Sequence, residues 1–156
     1  HAKSSWKHHG LTDRERPLNK RGERDAPIMA KRVAETGIRP SQIISSPAVR
    51  AWTTAKIFAR ELGYPAEFLQ REDGLYLASL DNLLDVVATQ DPGFNHLMLF
   101  GHNPGLTDFA NYLVPRLTSN LPTSGVVSVN LETDDWMLYD RPPTELALHD
   151  YPKKQP

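Results

Sequence analysis

The stretch HLMLFGHNPG, residues 96–105, decides the architecture. Leu97 to Phe100 form an apolar run too short for a buried helix, and it reads as a strand covered on both faces. Gly101, His102, Asn103 and Pro104 then turn the chain, and Gly105 opens a segment with helical spacing that runs to Leu113, just before Pro115. A strand passing directly into a helix is half of a strand–helix–strand unit. In sheets built from such units, ligands collect at the carboxyl ends of the strands. His102 stands at one of those ends.

The same grammar recurs upstream. QIISS (42–46) is a short β-branched strand, and Ser46-Pro47 then offers a hydroxyl cap followed by proline at the first helical position. That helix runs to Leu62 on Trp52, Ala55, Ala59 and Leu62, Gly63 ends it, and Arg50 lies in its first turn. An earlier helix, from about Gly22 to Thr36, rests on Ala26, Met29, Ala30 and Val33, with Asn19 as its cap. Ser79 caps another on Leu80, Leu83, Leu84 and Val87. AEFLQ (66–70) is a weaker strand. VVSVNLE (126–132) and DWMLYD (135–140) alternate as strands, with TDD as a hairpin turn. The tail from about Pro142 is expected to be partly mobile. The sum is one α/β domain over residues 1–156, a three-layer α/β/α sandwich. Its central sheet is mostly parallel, with an antiparallel C-terminal hairpin.

Composition narrows the function. With 18 basic and 19 acidic residues the net charge is -1, which invites neither nucleic acid nor an anionic membrane. No apolar run is long enough to span a bilayer. The absence of cysteine excludes disulfides, thiolate metal sites and a cysteine nucleophile, and fits a cytoplasmic location. His8-His9 reads as an exposed pair rather than a metal site. Arg14, Arg16, Lys20, Arg21 and Arg24 read as a solvated face. No glycine-rich phosphate loop follows a strand, which counts against a nucleotide binder.

What the strand ends offer is anion chemistry. A helix N-terminus, the guanidinium of Arg50 and the imidazole of His102 could share one rim, and phosphate is the anion that suits them. Catalysis would need a nucleophile. Neutral imidazole can attack phosphorus, and His1, at the head of HAKSSWKHHG, is the candidate. Lys3 and Ser4 are candidate phosphate contacts, with a solvated loop as the equal alternative. Asn103 and Asn19 are further candidates, Asn19 more readily a helix cap.

HAKSSW (1–6), RPLNKRG (16–22), SSPAVRAWTTA (45–55) and GHNPGL (101–106) resemble the motifs of the histidine phosphatase superfamily, and most of all its small SixA-type phosphohistidine phosphatases. The resemblance implies a phosphoglycerate-mutase-like fold over nearly the whole chain. It makes His1 the phosphorylated nucleophile, Arg50 the clamp on the phosphoryl oxygens and His102 a hydrogen-bond donor to them, with neither metal nor cofactor. Two departures matter. The family places an arginine immediately before the nucleophile, at the end of a central hydrophobic strand. This chain begins at His1, so that strand and arginine are expected to be missing, leaving two strand edges unpaired. An α-amino group at His1 could partly replace the missing charge. Larger members also carry an acid that protonates the leaving group, and Glu72 and Asp73 are the acids in that neighbourhood. The short segment there favours a leaving group that departs easily, such as imidazole. The expected function is hydrolysis of phosphohistidine on a protein. A phosphatase for a small phosphate ester, or an inactive phosphate- or phosphoprotein-binding module, are the alternatives.

Overall fold

The computed structural model describes residues 1–154. Five strands alternate with four helices: α1 (Lys20–Glu35), β1 (Gln42–Ser45), α2 (Val49–Glu61), β2 (Gln70–Arg71), α3 (Leu80–Ala88), β3 (Leu97–Phe100), α4 (Gly105–Leu113), β4 (Val126–Leu131) and β5 (Thr144–Asp150). β1 is central to a parallel sheet of order β2-β1-β3, with Gln42 opposite Leu97 and Ser45 opposite Phe100. β4 and β5 form an antiparallel pair with a register shift between Ser128 and Val129.

Successive strand residues point to opposite faces, and that alternation builds the three layers. Ile43 and Phe100 pack with Met29 and Val33 of α1 and Phe58 of α2. Ile44 and Leu99 face the other way, toward Leu83 of α3 and Phe109 of α4. All four residues of β1 are buried, as a central parallel strand requires.

Local chemistry moves some boundaries. α1 begins at Lys20, two residues early, because Asn19 accepts from the amide of Gly22 at 2.8 Å. Ser79 caps α3 as expected, accepting from Asn82. α2 begins only at Val49, and the Ser46 hydroxyl accepts from Ala48 in a short turn instead of capping the helix. AEFLQ is mostly a 3-10 turn, Ala66–Phe68, followed by the two-residue β2 at the sheet edge. DWMLYD is not a strand. Asp135 accepts from Met137 in a local turn, Trp136 donates to the carbonyl of Phe94 at 2.9 Å, and Leu138 is buried against α3 and α4. The partner of β4 is instead TELALHD, residues 144–150 of the expected tail. Leu148 packs on the α1–α2 side, and Arg32 of α1 donates to the Tyr151 carbonyl. Residues 155–156, where the tail expectation also falls, lie outside the described residues.

Among the described residues, β3 pairs only with β1, and β4 only with β5. Their unpaired edges border a groove of about 590 Å³. Its walls include Val33 and Phe58 from one helix layer and Phe109 and Leu113 from the other, and His1 lies at its head. No helix among the described residues is long and apolar enough to cross a membrane.

Candidate active site

The first three residues are fastened from several sides. The backbone nitrogen of His1 donates to Gly101, just past β3, at 3.2 Å, and the His1 carbonyl accepts from Ser124, just before β4, at 3.0 Å. The amide of Ala2 donates to Thr54 Oγ1 of α2 at 3.0 Å, and the Thr54 hydroxyl donates to the carbonyl of Arg50 at 2.7 Å. Lys3 accepts through its carbonyl from the Asn19 amide, and α1 comes so close at Gly22 that a Cβ there would lie 2.2 Å from that oxygen. Only glycine allows that approach.

His1, Arg50 and His102 meet. His1 Nδ1 lies 2.5 Å from the carbonyl of Ala2, which can only accept, so Nδ1 carries the proton and Nε2 the lone pair. Arg50 Nε donates to that Nε2 at 3.3 Å. The His102 ring lies 5.0 Å from the His1 ring, centre to centre. Ser46 Oγ accepts from Ala48 and lies 2.7 Å from His102 Nε2. His102 Nδ1 is buried, and among the described residues it has no partner. Burial, and after it the charge of Arg50, push the His102 pKa down to about 3, so the ring is neutral near pH 7.

Arg50 is itself gripped. Nη1 donates to the Asp13 carbonyl at 2.6 Å and Nη2 to Asp13 Oδ2 at 2.9 Å. The Tyr76 hydroxyl donates to the same Oδ2, and Arg16 Nε reaches Oδ1 at 3.1 Å. Above all the Tyr76 hydroxyl, with Arg50 and Arg16, outweighs burial and holds the Asp13 carboxyl down to about 2. The backbone nitrogen of His1, the stand-in considered for the missing charge, is engaged with the Gly101 carbonyl.

The remaining candidate residues make the following contacts. Ser4 is buried and accepts from Arg16 Nη1 at 2.8 Å. Lys3 contributes its backbone. Asn19 is a helix cap, as its alternative reading held. Asn103 Nδ2 donates to Leu121 at 2.7 Å and its Oδ1 accepts from Thr107, which ties the turn before α4. Glu72 accepts from Gly74, and Asp73 opens the adjacent 3-10 turn; neither is a partner of His1, Arg50 or His102. Sequence reasoning missed Asp13, Arg16, Ser46, Thr54 and Tyr76 as parts of this cluster. One signal was there: Thr12-x-x-Glu15 is a capping box, and it fixes the turn that presents Asp13. Arg16, read as part of a solvated face, is buried between Ser4 and the Trp6 ring, 3.5 Å from its centre.

The arrangement presents a nucleophilic nitrogen with a guanidinium at its side and a neutral imidazole N–H nearby. Such groups suit attack on phosphorus and stabilisation of the charge that develops on its oxygens. The sequence model of the histidine phosphatase superfamily (branch 1) matches residues 1–76. A solved structure described as a proposed phosphohistidine phosphatase, SixA of Agrobacterium tumefaciens, is 30% identical, covers 97% of this chain and 94% of that one, and superposes with a TM-score of 0.80. The chain belongs to the histidine phosphatase superfamily. A structure of the protein histidine phosphatase SixA complexed with tungstate shares the superfamily fold at TM-score 0.78 and 18% identity, covering 97% of this chain and 93% of that one. An uncharacterised chloroplast protein of Arabidopsis thaliana is 32% identical over 123 residues, 72% of this chain, and the match spans 56% of that protein's length. The sheet with its antiparallel pair is thus the phosphoglycerate-mutase-like fold of this superfamily.

Proposed function

We propose that the protein is a phosphatase that works through a phosphohistidine on Nε2 of His1, and that its substrate is phosphohistidine on another protein. The observation that carries the reading is the convergence of the His1 lone pair, Arg50 and the unpartnered Nδ1 of His102. In the first step Nε2 attacks phosphorus, the new P–N bond forms and the bond to the leaving imidazole breaks, that imidazole taking a proton from water. In the second step water attacks, the P–Nε2 bond breaks, and phosphate and free His1 are released. Arg50 and His102 stabilise the equatorial oxygens in both steps. A SixA phosphatase of the same fold binds tungstate, a tetrahedral oxyanion, and this supports a phosphoryl-binding role for this chain.

The choice of substrate rests on proton supply. Glu72 is committed to its own turn, and Asp13, its carboxyl held down to about 2, has no proton to give near neutrality. An alkoxide leaving group would need that proton, whereas imidazole leaves without a strong acid. We further propose that a strand ending in arginine, preceding His1, fills the groove between β3 and β4.

The test compares kcat/KM on a protein phosphorylated on histidine with kcat/KM on a sugar phosphate. The reading predicts that the phosphoprotein is preferred. The reverse order would make the protein a small-molecule phosphatase, and binding without turnover would make it a binding module.

A further inference from the structure

Asp13 takes no part in the steps above, yet it joins three side chains of the site. Its turn is set before it meets the site: the amide and hydroxyl of Thr12 both donate to Glu15 Oε1, at 3.0 and 2.7 Å. From that turn the carboxylate spans three side chains, with Arg16 on Oδ1 and with Arg50 and Tyr76 on Oδ2. Its main-chain carbonyl adds a second bond to Arg50. Only 3% of the Arg50 side chain is exposed.

A guanidinium presents its donors in one rigid plane, so holding one end aims the other. Asp13 holds the Nη end with side chain and backbone together. The Nε edge is left facing His1 Nε2, at 3.3 Å. Tyr76, tethered to the same carboxylate, is kept with its ring 5.5 Å from that of His102, while Arg14 lies over its other side 4.5 Å from the ring centre.

We infer that Asp13 is a positioning residue, which turns the Nε edge of Arg50 toward the phosphoryl group on His1 and fixes Tyr76 at the same rim. The inference rests on the phosphatase reading. The opposite role would be a carboxylate that occupies the place of phosphate on Arg50 until substrate displaces it. The geometry favours positioning, because the backbone carbonyl shares the grip and the turn is locked by Thr12 and Glu15. A displaceable competitor would have to withdraw both.

The two roles give opposite signs. Asp13→Ala and Asp13→Asn are made in the same chain, and turnover is measured on a histidine-phosphorylated protein. Orthovanadate, a mimic of the five-coordinate transition state, and inorganic phosphate are titrated by calorimetry. Positioning predicts that Asp13→Ala lowers kcat by about 10²-fold and weakens orthovanadate in step, while KM and phosphate affinity move by less than about threefold. Asp13→Asn, which keeps an acceptor for Arg50, should recover part of the loss and serves alone if the alanine variant does not fold. Tighter phosphate and orthovanadate in either folded variant, or an unchanged kcat, overturns the inference. If the unaltered protein shows no turnover, the phosphatase reading fails, and the orthovanadate comparison still decides the role of Asp13.

Discussion

Lowering the pH from 7 to 5 should cost this protein stability in an amount traceable to His102. The ring is buried and neutral, with its pKa held down to about 3. In the unfolded chain it returns to about 6.5. Between those values the unfolded chain takes up a proton that the folded protein refuses, so stability falls as the pH falls. pH 5 lies about 1.5 units below the unfolded ring's pKa, and at about 1.36 kcal/mol per unit the loss is about 2 kcal/mol. The folded ring is still neutral there, so the figure depends on the unfolded value and hardly on how far below 5 the folded value lies. His96 and His149 are also held below their ordinary range by burial, and they add to the total. The His102→Gln variant isolates the contribution, because glutamine stays polar and does not titrate. Urea unfolding of both proteins at the two pH values is the assay. The unaltered protein should lose about 2 kcal/mol more than the variant over the interval. Equal losses would mean that folded His102 titrates as it does in water, and the neutral donor at the heart of the site would be refuted.

Ser46→Ala removes the hydroxyl bonded to His102 Nε2; kcat should fall about tenfold and stability by about 1–2 kcal/mol, read by steady-state kinetics and urea unfolding. Gly22→Ala would drive a Cβ into the Lys3 carbonyl, so thermal and urea unfolding should show a loss of about 1–3 kcal/mol, with activity falling as the segment behind His1 shifts. Extending the chain upstream of His1 with its natural residues should slow amide hydrogen exchange along Leu97–Phe100 and Val126–Leu131, the two edges of the groove. Unchanged exchange there would count against a strand in that place.

The layers were legible because each depends on a local pattern. LMLF and QIIS could not be solvated, and the periodic faces of α1 to α4 had to be covered. His102 and Arg50 were legible for a related reason: each follows a buried parallel strand, and the fold brings such positions to one rim. What was not legible depended on pairing across long separations. TELALHD looks like a polar tail until β4 lies beside it, and DWMLYD alternates like a strand until Asp135 closes a turn on Met137. Asp13 and Tyr76 fall outside the four motifs, and Arg16, though it heads RPLNKRG, reads as one more surface charge. Asp13 and Arg16 sit in a charged tetrapeptide that resembles any solvated surface, and only the long-range contacts to Arg50 and Ser4 give them a role. Ser46 had a plausible cap geometry, and the imidazole of His102, 56 positions away, claimed it instead.

The central claim is that phosphorus becomes bonded to His1. The direct measurement is to mix the protein with a histidine-phosphorylated protein carrying radioactive phosphate, quench within the first turnovers in alkali and locate the label by peptide mapping. An acid-labile, alkali-stable label on the peptide containing His1, absent from a folded His1→Ala variant, is the predicted result. Turnover with no label on that peptide, or label that persists in the variant, would contradict it.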